Sequence, residues 1–233
     1  MKLVYISAPY RADTPEETER NRRAALEACG EAYRLGRLTG TKIVPIAPAG
    51  NFPYLDGNKS EDREQELRMD LALLSKCDEL WVAGDRISED MQRELRAAVR
   101  MDKPVCSMGL DQATVQTAIT DMHPMLRKND CVKGSENGDY SDKLLILNAS
   151  VLAPWALEPE NQLWIADGGG FGTSPDAMGR ALYVTNVFDG EKARFDREDF
   201  HGAADIGRLP AWAKDGLAEF QEQNREESEE SEQ

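Results

Sequence analysis

The chain has 233 residues, and its 43 Asp and Glu against 28 Lys and Arg leave a formal charge of −15. That length is enough for one large or two modest domains. The acidity argues against a general nucleic-acid surface, which needs a basic face, and no apolar run approaches the roughly 20 residues of a membrane span.

Lys2–Ser7 is a short apolar run that reads as a strand. Thr14-Pro15-Glu16-Glu17 starts a helix, with Thr14 as N-cap, Pro15 in the first helical position and Glu17 closing a capping box. This helix is expected to run to about Leu35, with Gly36 ending it. Lys42–Ala47 reads as the next strand, and Pro45 implies an edge or an irregularity there. A Pro/Gly-rich loop, Ala47–Asn58, precedes a helix from Ser60 to Lys76. Glu79–Ala83 is a strand, Ser88–Met101 a helix, Pro104–Ser107 a strand, and Asp111–Asp121 a closing helix. Strand–helix alternation predicts an α/β fold: a doubly wound, flavodoxin-like parallel sheet of four or five strands. Ligands bind such sheets outside the carboxyl ends of the strands, which would bring together Tyr5, Ser7, Arg11 and Ser88.

Residues 1–125 are therefore expected to form one domain. Residues 126–143 turn polar and rich in Gly, Asn and Asp, which suggests a linker. A small α+β domain over 144–221 follows, with a strand at Gln162–Ala166, a helix capped by Ser174 with Pro175 next, a turn at Asp189-Gly190 and an amphipathic helix over Ala211–Phe220. Gly168-Gly169-Gly170-Phe171-Gly172 lacks the Gly-Lys-Ser/Thr ending of a phosphate loop and reads as a flexible turn. Residues 222–233 are acidic and polar and are expected to be disordered. Trp155, Trp164 and Trp212 could form either an interaction surface or part of a small core.

The cysteines Cys29, Cys77, Cys106 and Cys131 are widely spaced, and neither His123 nor His201 has a metal-ligand partner at a recognisable spacing. Reduced thiols, no metal and no cofactor are expected, in a cytoplasmic protein whose start, Met1–Pro9, reads as strand followed by charge. Acid–base chemistry would fall to carboxylates, Tyr or Lys.

Two acids stand where helices should present apolar residues. Asp70 shares a face with Leu67, Leu71 and Leu74, and Glu94 shares one with Met91, Leu95 and Ala98. A carboxylate turned toward low dielectric costs several kcal/mol unless it is paired or lines a cavity. Pairing with Arg63, Arg68, Arg93 or Arg96 is the structural explanation, and a site is the functional one.

Three segments resemble the nucleoside 2-deoxyribosyltransferase family, including its branch of 2′-deoxynucleoside 5′-phosphate N-hydrolases. They are Leu3-Val4-Tyr5-Ile6-Ser7-Ala8-Pro9-Tyr10-Arg11; Met69-Asp70-Leu71 leading through Cys77-Asp78-Glu79-Leu80-Trp81-Val82; and Ser88-x-x-Met91-x-x-Glu94-x-x-x-Ala98 ending in Lys103-Pro104-Val105. The resemblance covers roughly residues 1–108. It implies that Glu94 attacks the anomeric carbon, that Asp70 handles the proton of the base and that Tyr5 positions the nucleophile. Ser7, Arg11, Ser88 and Met91 would contact substrate, with Ser88 matching the serine that faces a 5′-phosphate in the hydrolases. In transferases acting on free nucleosides that position is typically acidic. The chain departs from the family in having Glu89, Asp90, Gln92 and Arg93 where glycine is usual between serine and glutamate. The implied activity is cleavage of the N-glycosidic bond of a 2′-deoxynucleoside, or its 5′-monophosphate, by hydrolysis or deoxyribosyl transfer, with a small-molecule nucleoside or nucleotide as partner and a homo-oligomeric state. The alternative is a binding module holding a nucleotide or nucleotide-derived signal without turnover, in phage–host conflict. The second unit faintly resembles accessory domains of bacterial mobile-element proteins.

Overall fold

In β1 (Lys2–Ser7) the side chains alternate, Val4 and Ile6 packing with one apolar cluster and Tyr5 with another on the opposite face. This is the period of two expected of a strand buried on both sides. The computed structural model describes all residues except 13, 49–50, 53, 56–58, 121, 168–171, 178 and 232–233, with side chains as far as residue 226. The chain divides into two compact units, Met1–Met122 and His123–Gln233.

In the first unit β1 is followed by α1 (Pro15–Thr39), β2 (Ile43–Ile46), α2 (Ser60–Lys76), β3 (Glu79–Val82), α3 (Glu89–Arg100), β4 (Val105–Ser107) and α4 (Gln112–Thr117). The sheet is parallel throughout, in the order β2-β1-β3-β4. The chain winds outward from β1 to β2 and then returns to the other side of β1, so the strand order reverses between β1 and β3. That reversal is the doubly wound topology expected from the alternation, and it opens a crevice at the carboxyl ends of β1 and β3. On one face Ala28 and Ala32 of α1 pack with Val4, Ile6 and Trp81. On the other, Leu67, Leu71 and Leu74 of α2 and Met91 and Leu95 of α3 pack with Tyr5, Leu80 and Val82. Burying each of those leucines stabilises the unit by roughly 1.5–3 kcal/mol.

Two local features differ from expectation. The first helix does not stop at Gly36 but continues to Thr39, with Gly40 as the left-handed cap at φ 73°. Gly36 is instead a packing residue, because a Cβ there would lie 2.7 Å from the Thr41 carbonyl oxygen and 3.0 Å from Ile43. Helix α4 is shorter than Asp111–Asp121, capped by Asp111 and ending at Thr117, and position 121 lies outside the described residues. Pro45 stands on the edge strand. Lys2 N–H donates to the Lys42 carbonyl, so residues 42, 44 and 46 turn their backbone groups toward β1 and Pro45 turns outward. Its missing N–H therefore removes no bond from the ladder.

The second unit contains β5 (Leu144–Leu147), β6 (Leu163–Ala166), β7 (Ala181–Asn186), β8 (Lys192–Asp196), β9 (Phe200–Ala203) and α5 (Ala211–Ser231). Its sheet is antiparallel, in the order β8-β7-β6-β5-β9. Leu144, Ile146 and Leu163 pack with Ala213 and Leu217 of α5, while Leu145, Leu147, Trp164 and Leu182 form the opposite face. Trp164 is buried, Trp212 stacks on His123, and Trp155 is exposed.

Three expectations for this half need correction. Residues 126–143 are not a free linker: Leu126, Cys131 and Tyr140 are buried in the unit. The buried Gln162 amide accepts the Leu126 N–H at 2.7 Å and donates to the Leu126 and Leu147 carbonyls. The end of the chain is helical through Ser231 rather than disordered from 222, because α5 continues past its buried portion as a charged helix. No helix forms at Ser174-Pro175. The Ser174 hydroxyl accepts the Asp176 N–H and its carbonyl the Ala177 N–H, a local turn that competes with helix. Gly168–Phe171 of the glycine run lie outside the described residues. Among the described residues no helix is long and apolar enough to cross a membrane.

Candidate active site

Tyr5 and Ser7 lie two apart on β1 and so share one face, the face α3 covers. Glu94 of α3 meets them there, only 6% exposed. The Tyr5 hydroxyl donates to Glu94 Oε1 at 2.7 Å and the Ser7 hydroxyl to Oε2 at 2.6 Å. Both donors are fully buried. Hydrogen bonds to an ionised group are the strong kind, and two of them offset part of the penalty for burying a carboxylate. Burial still outweighs them and pushes the Glu94 carboxyl up to about 7, with the Asp90 charge adding to the rise. Burial, then the Glu94 and Asp70 charges, push the Tyr5 phenol well above its usual range, so it stays protonated and remains a donor.

Asp70 sits on α2, and its Oδ1 is buried with no hydrogen-bond partner among the described residues. Burial raises its carboxyl to about 8, helped by the negative charges of Glu94, Glu66 and Asp90 and opposed by Arg11. Near neutral pH Asp70 is then largely protonated, and can donate a proton. None of the arginines expected as structural partners pairs with either acid among the described residues. Arg63 reaches Asp90 at 3.9 Å, while Arg68 and Arg93 reach Glu64 at 3.9 and 3.2 Å.

Asp70 and Glu94 line one cleft of about 550 Å³ together with Arg11, Ser88 and Met91. Tyr5 and Ser7 do not line it; they act on it through Glu94. Ser88 is the N-cap of α3, its hydroxyl accepting the Met91 N–H at 3.3 Å. Met91 returns the contact, its sulfur accepting the Ser88 N–H at 3.5 Å. Arg11 is ion-paired to Glu66 and lies 3.7 Å from Asp90. Glu66 escaped the sequence reading, although it stands one helical turn before Asp70 and so shares its face. Among the described residues no group of three or more His, Cys, Asp or Glu is arranged to hold a metal ion.

The first unit is thus a doubly wound α/β domain whose switch-point crevice carries the buried Glu94 carboxyl and the half-buried Asp70 carboxyl. A family described as a domain of unknown function (DUF7768) matches residues 2–108. No curated protein matches the chain. Among solved structures it is similar to a 2-deoxyribosyltransferase from the psychrotolerant bacterium Bacillus psychrosaccharolyticus, with 18% identity and a TM-score of 0.35 over 50% of this chain and 82% of that one.

Proposed function

We propose that the first unit cleaves the N-glycosidic bond of a 2′-deoxynucleoside, or its 5′-monophosphate, passing the sugar to water or to a second base. The observation that carries this reading is the pairing, in one cleft, of a carboxylate gripped through both oxygens with an aspartic acid whose buried Oδ1 has no partner among the described residues. Two carboxyl groups with different environments suit an oxocarbenium-like reaction, in which one meets the anomeric carbon and the other protonates the leaving group. Glu94 Oε attacks C1′ as the C–N bond breaks, and the electron pair leaves with the base, which takes its proton from Asp70. The second half reverses this: Asp70 accepts a proton from water or from the incoming base, which attacks C1′ and frees Glu94. Tyr5 and Ser7 are positioning residues that keep the Glu94 carboxylate oriented, and their donation favours the ionised form a nucleophile needs. Sequence resemblance to the deoxyribosyltransferases over residues 1–108 supports the same roles.

Incubation of the protein with the four 2′-deoxynucleosides and their 5′-monophosphates, followed by chromatography of free base, tests the reading. Base release is expected from at least one substrate and is expected to disappear in Glu94→Gln. Absence of free base from the whole panel would overturn it.

A further inference from the structure

We propose that Glu66 and Asp90 determine which ligands this cleft accepts: by engaging Arg11 they admit an uncharged sugar 5′ end and turn away a 5′-phosphate. This rests on the reading of the cleft as a deoxynucleoside site and goes on to choose between its two substrate classes. Three observations carry it.

Arg11 is the cation that could meet a phosphate from the β1 loop, and it is bracketed by Glu66 of α2 and Asp90 of α3. The Glu66 side chain is 13% exposed and that of Arg11 27%, so the attraction between them is little weakened by solvent. A phosphate displacing either carboxylate would leave that carboxylate beside it as a like charge. The start of α3, the other natural anion site, is filled from within. Its first turn carries Glu89 and Asp90, and the Met91 N–H is taken by Ser88. Among the described residues the remaining cation of the cleft is Arg63, which already faces Asp90 at 3.9 Å. A phosphate dianion would therefore enter among Glu66, Asp90 and Glu94 without a cation of its own. A neutral 5′-hydroxyl meets no such repulsion and can donate to either Glu66 or Asp90.

The test is a calorimetric titration of the full chain carrying Glu94→Gln, so that no ligand is consumed, with each 2′-deoxynucleoside and its 5′-monophosphate. It is repeated after adding Asp90→Asn or, separately, Glu66→Gln, with melting curves to confirm that each variant folds; either variant suffices. The nucleoside is expected to bind about tenfold or more tightly than its monophosphate, and each added substitution to narrow that gap by about tenfold through the monophosphate alone. Adding Arg11→Gln to the Asp90→Asn variant is expected to abolish the gain. Tighter monophosphate binding at the outset, a gap unmoved by both substitutions, or no binding of any ligand would overturn the inference. Nucleoside binding with the expected preference, but no base released by the unsubstituted protein, would overturn the cleavage reading and leave this one standing.

Discussion

Glu94 in the first unit and Arg197 in the second are both buried charges, 6% and 8% exposed, held in opposite ways. Arg197 Nη1 donates to the carbonyls of Gly172 and Thr173 at 3.0 and 2.8 Å, and Nη2 to those of Glu136 and Gly138. Its guanidinium lies 3.7 Å from the centre of the Tyr140 ring. All of these partners are neutral backbone or an aromatic face, and together they stitch three loops. Glu94 instead receives two side-chain hydroxyls and faces a cleft shared with a second carboxyl group. Satisfaction by backbone marks a charge that holds structure. Satisfaction by side chains beside open space is the arrangement the proposed reaction needs.

Glu94→Gln breaks the comparison most strongly. On the proposed nucleophilic role, which places the lost group in the transition state, turnover is expected to fall about a thousandfold or more. The melting temperature should hold or rise, since a buried charge has become neutral. A melting temperature that drops while base release persists would place Glu94 with Arg197 as a structural charge.

Arg197→Met should do the reverse. Four carbonyls lose their donor, and even with partial rehydration about 3 kcal/mol of stability should be lost, read by urea denaturation. Base release per folded molecule should be unchanged; loss of release in the folded fraction would show that the second unit takes part in the chemistry.

The pH dependence of stability sharpens the contrast, because the two acids of the first unit have carboxyl groups raised above their ordinary range. Asp70 and Glu94 bind protons more tightly in the folded state, at about 8 and about 7, than in the unfolded chain. Their contribution to stability is therefore fully present below about pH 4, the ordinary carboxylate range, and is lost as pH rises through 7 and 8. Melting temperatures recorded from pH 5 to 9 should fall with pH, and Asp70→Asn should flatten the slope. A slope unchanged in that variant would mean Asp70 is ionised throughout.

Smaller still, Ser88→Ala removes the N-cap of α3 and should destabilise the chain by about 1 kcal/mol. A 5′-monophosphate weakened more than its nucleoside would show that Ser88 also meets the ligand. Smallest of all is the effect expected from truncation after Met122, which leaves every proposed site residue in place. Base release should be retained, and precipitation of the shortened chain would show that the two units depend on one another.

Asp70 and Glu94 were legible in the sequence because an acid on an apolar helical stripe breaks a periodic pattern. Tyr5 and Ser7 were legible because strand alternation puts them on one face. The bracket on Arg11 was not, since Glu66 is 55 residues away and nothing local marks an ion pair of that separation. Residues 126–143 read as a linker for a similar reason. Their composition is polar, and their burial depends on Leu126, Cys131 and Tyr140 together with the distant side chains of Gln162 and Arg197. The parallel sheet followed from the alternation of strands and helices, whereas in the antiparallel sheet only β6 was legible as a strand, since β5 is a four-residue apolar run without alternation and long connections separate β5, β6 and β7.

Pro45 has a consequence for assembly. With no amide hydrogen to offer outward, the rim of the sheet formed by β2 is a poor template for another strand, and copies of the chain are discouraged from joining edge to edge there. Exposed apolar side chains lie instead on α1, at Leu26, Tyr33 and Leu38. Replacing Pro45 with valine would restore the missing hydrogen and open that rim to strand addition.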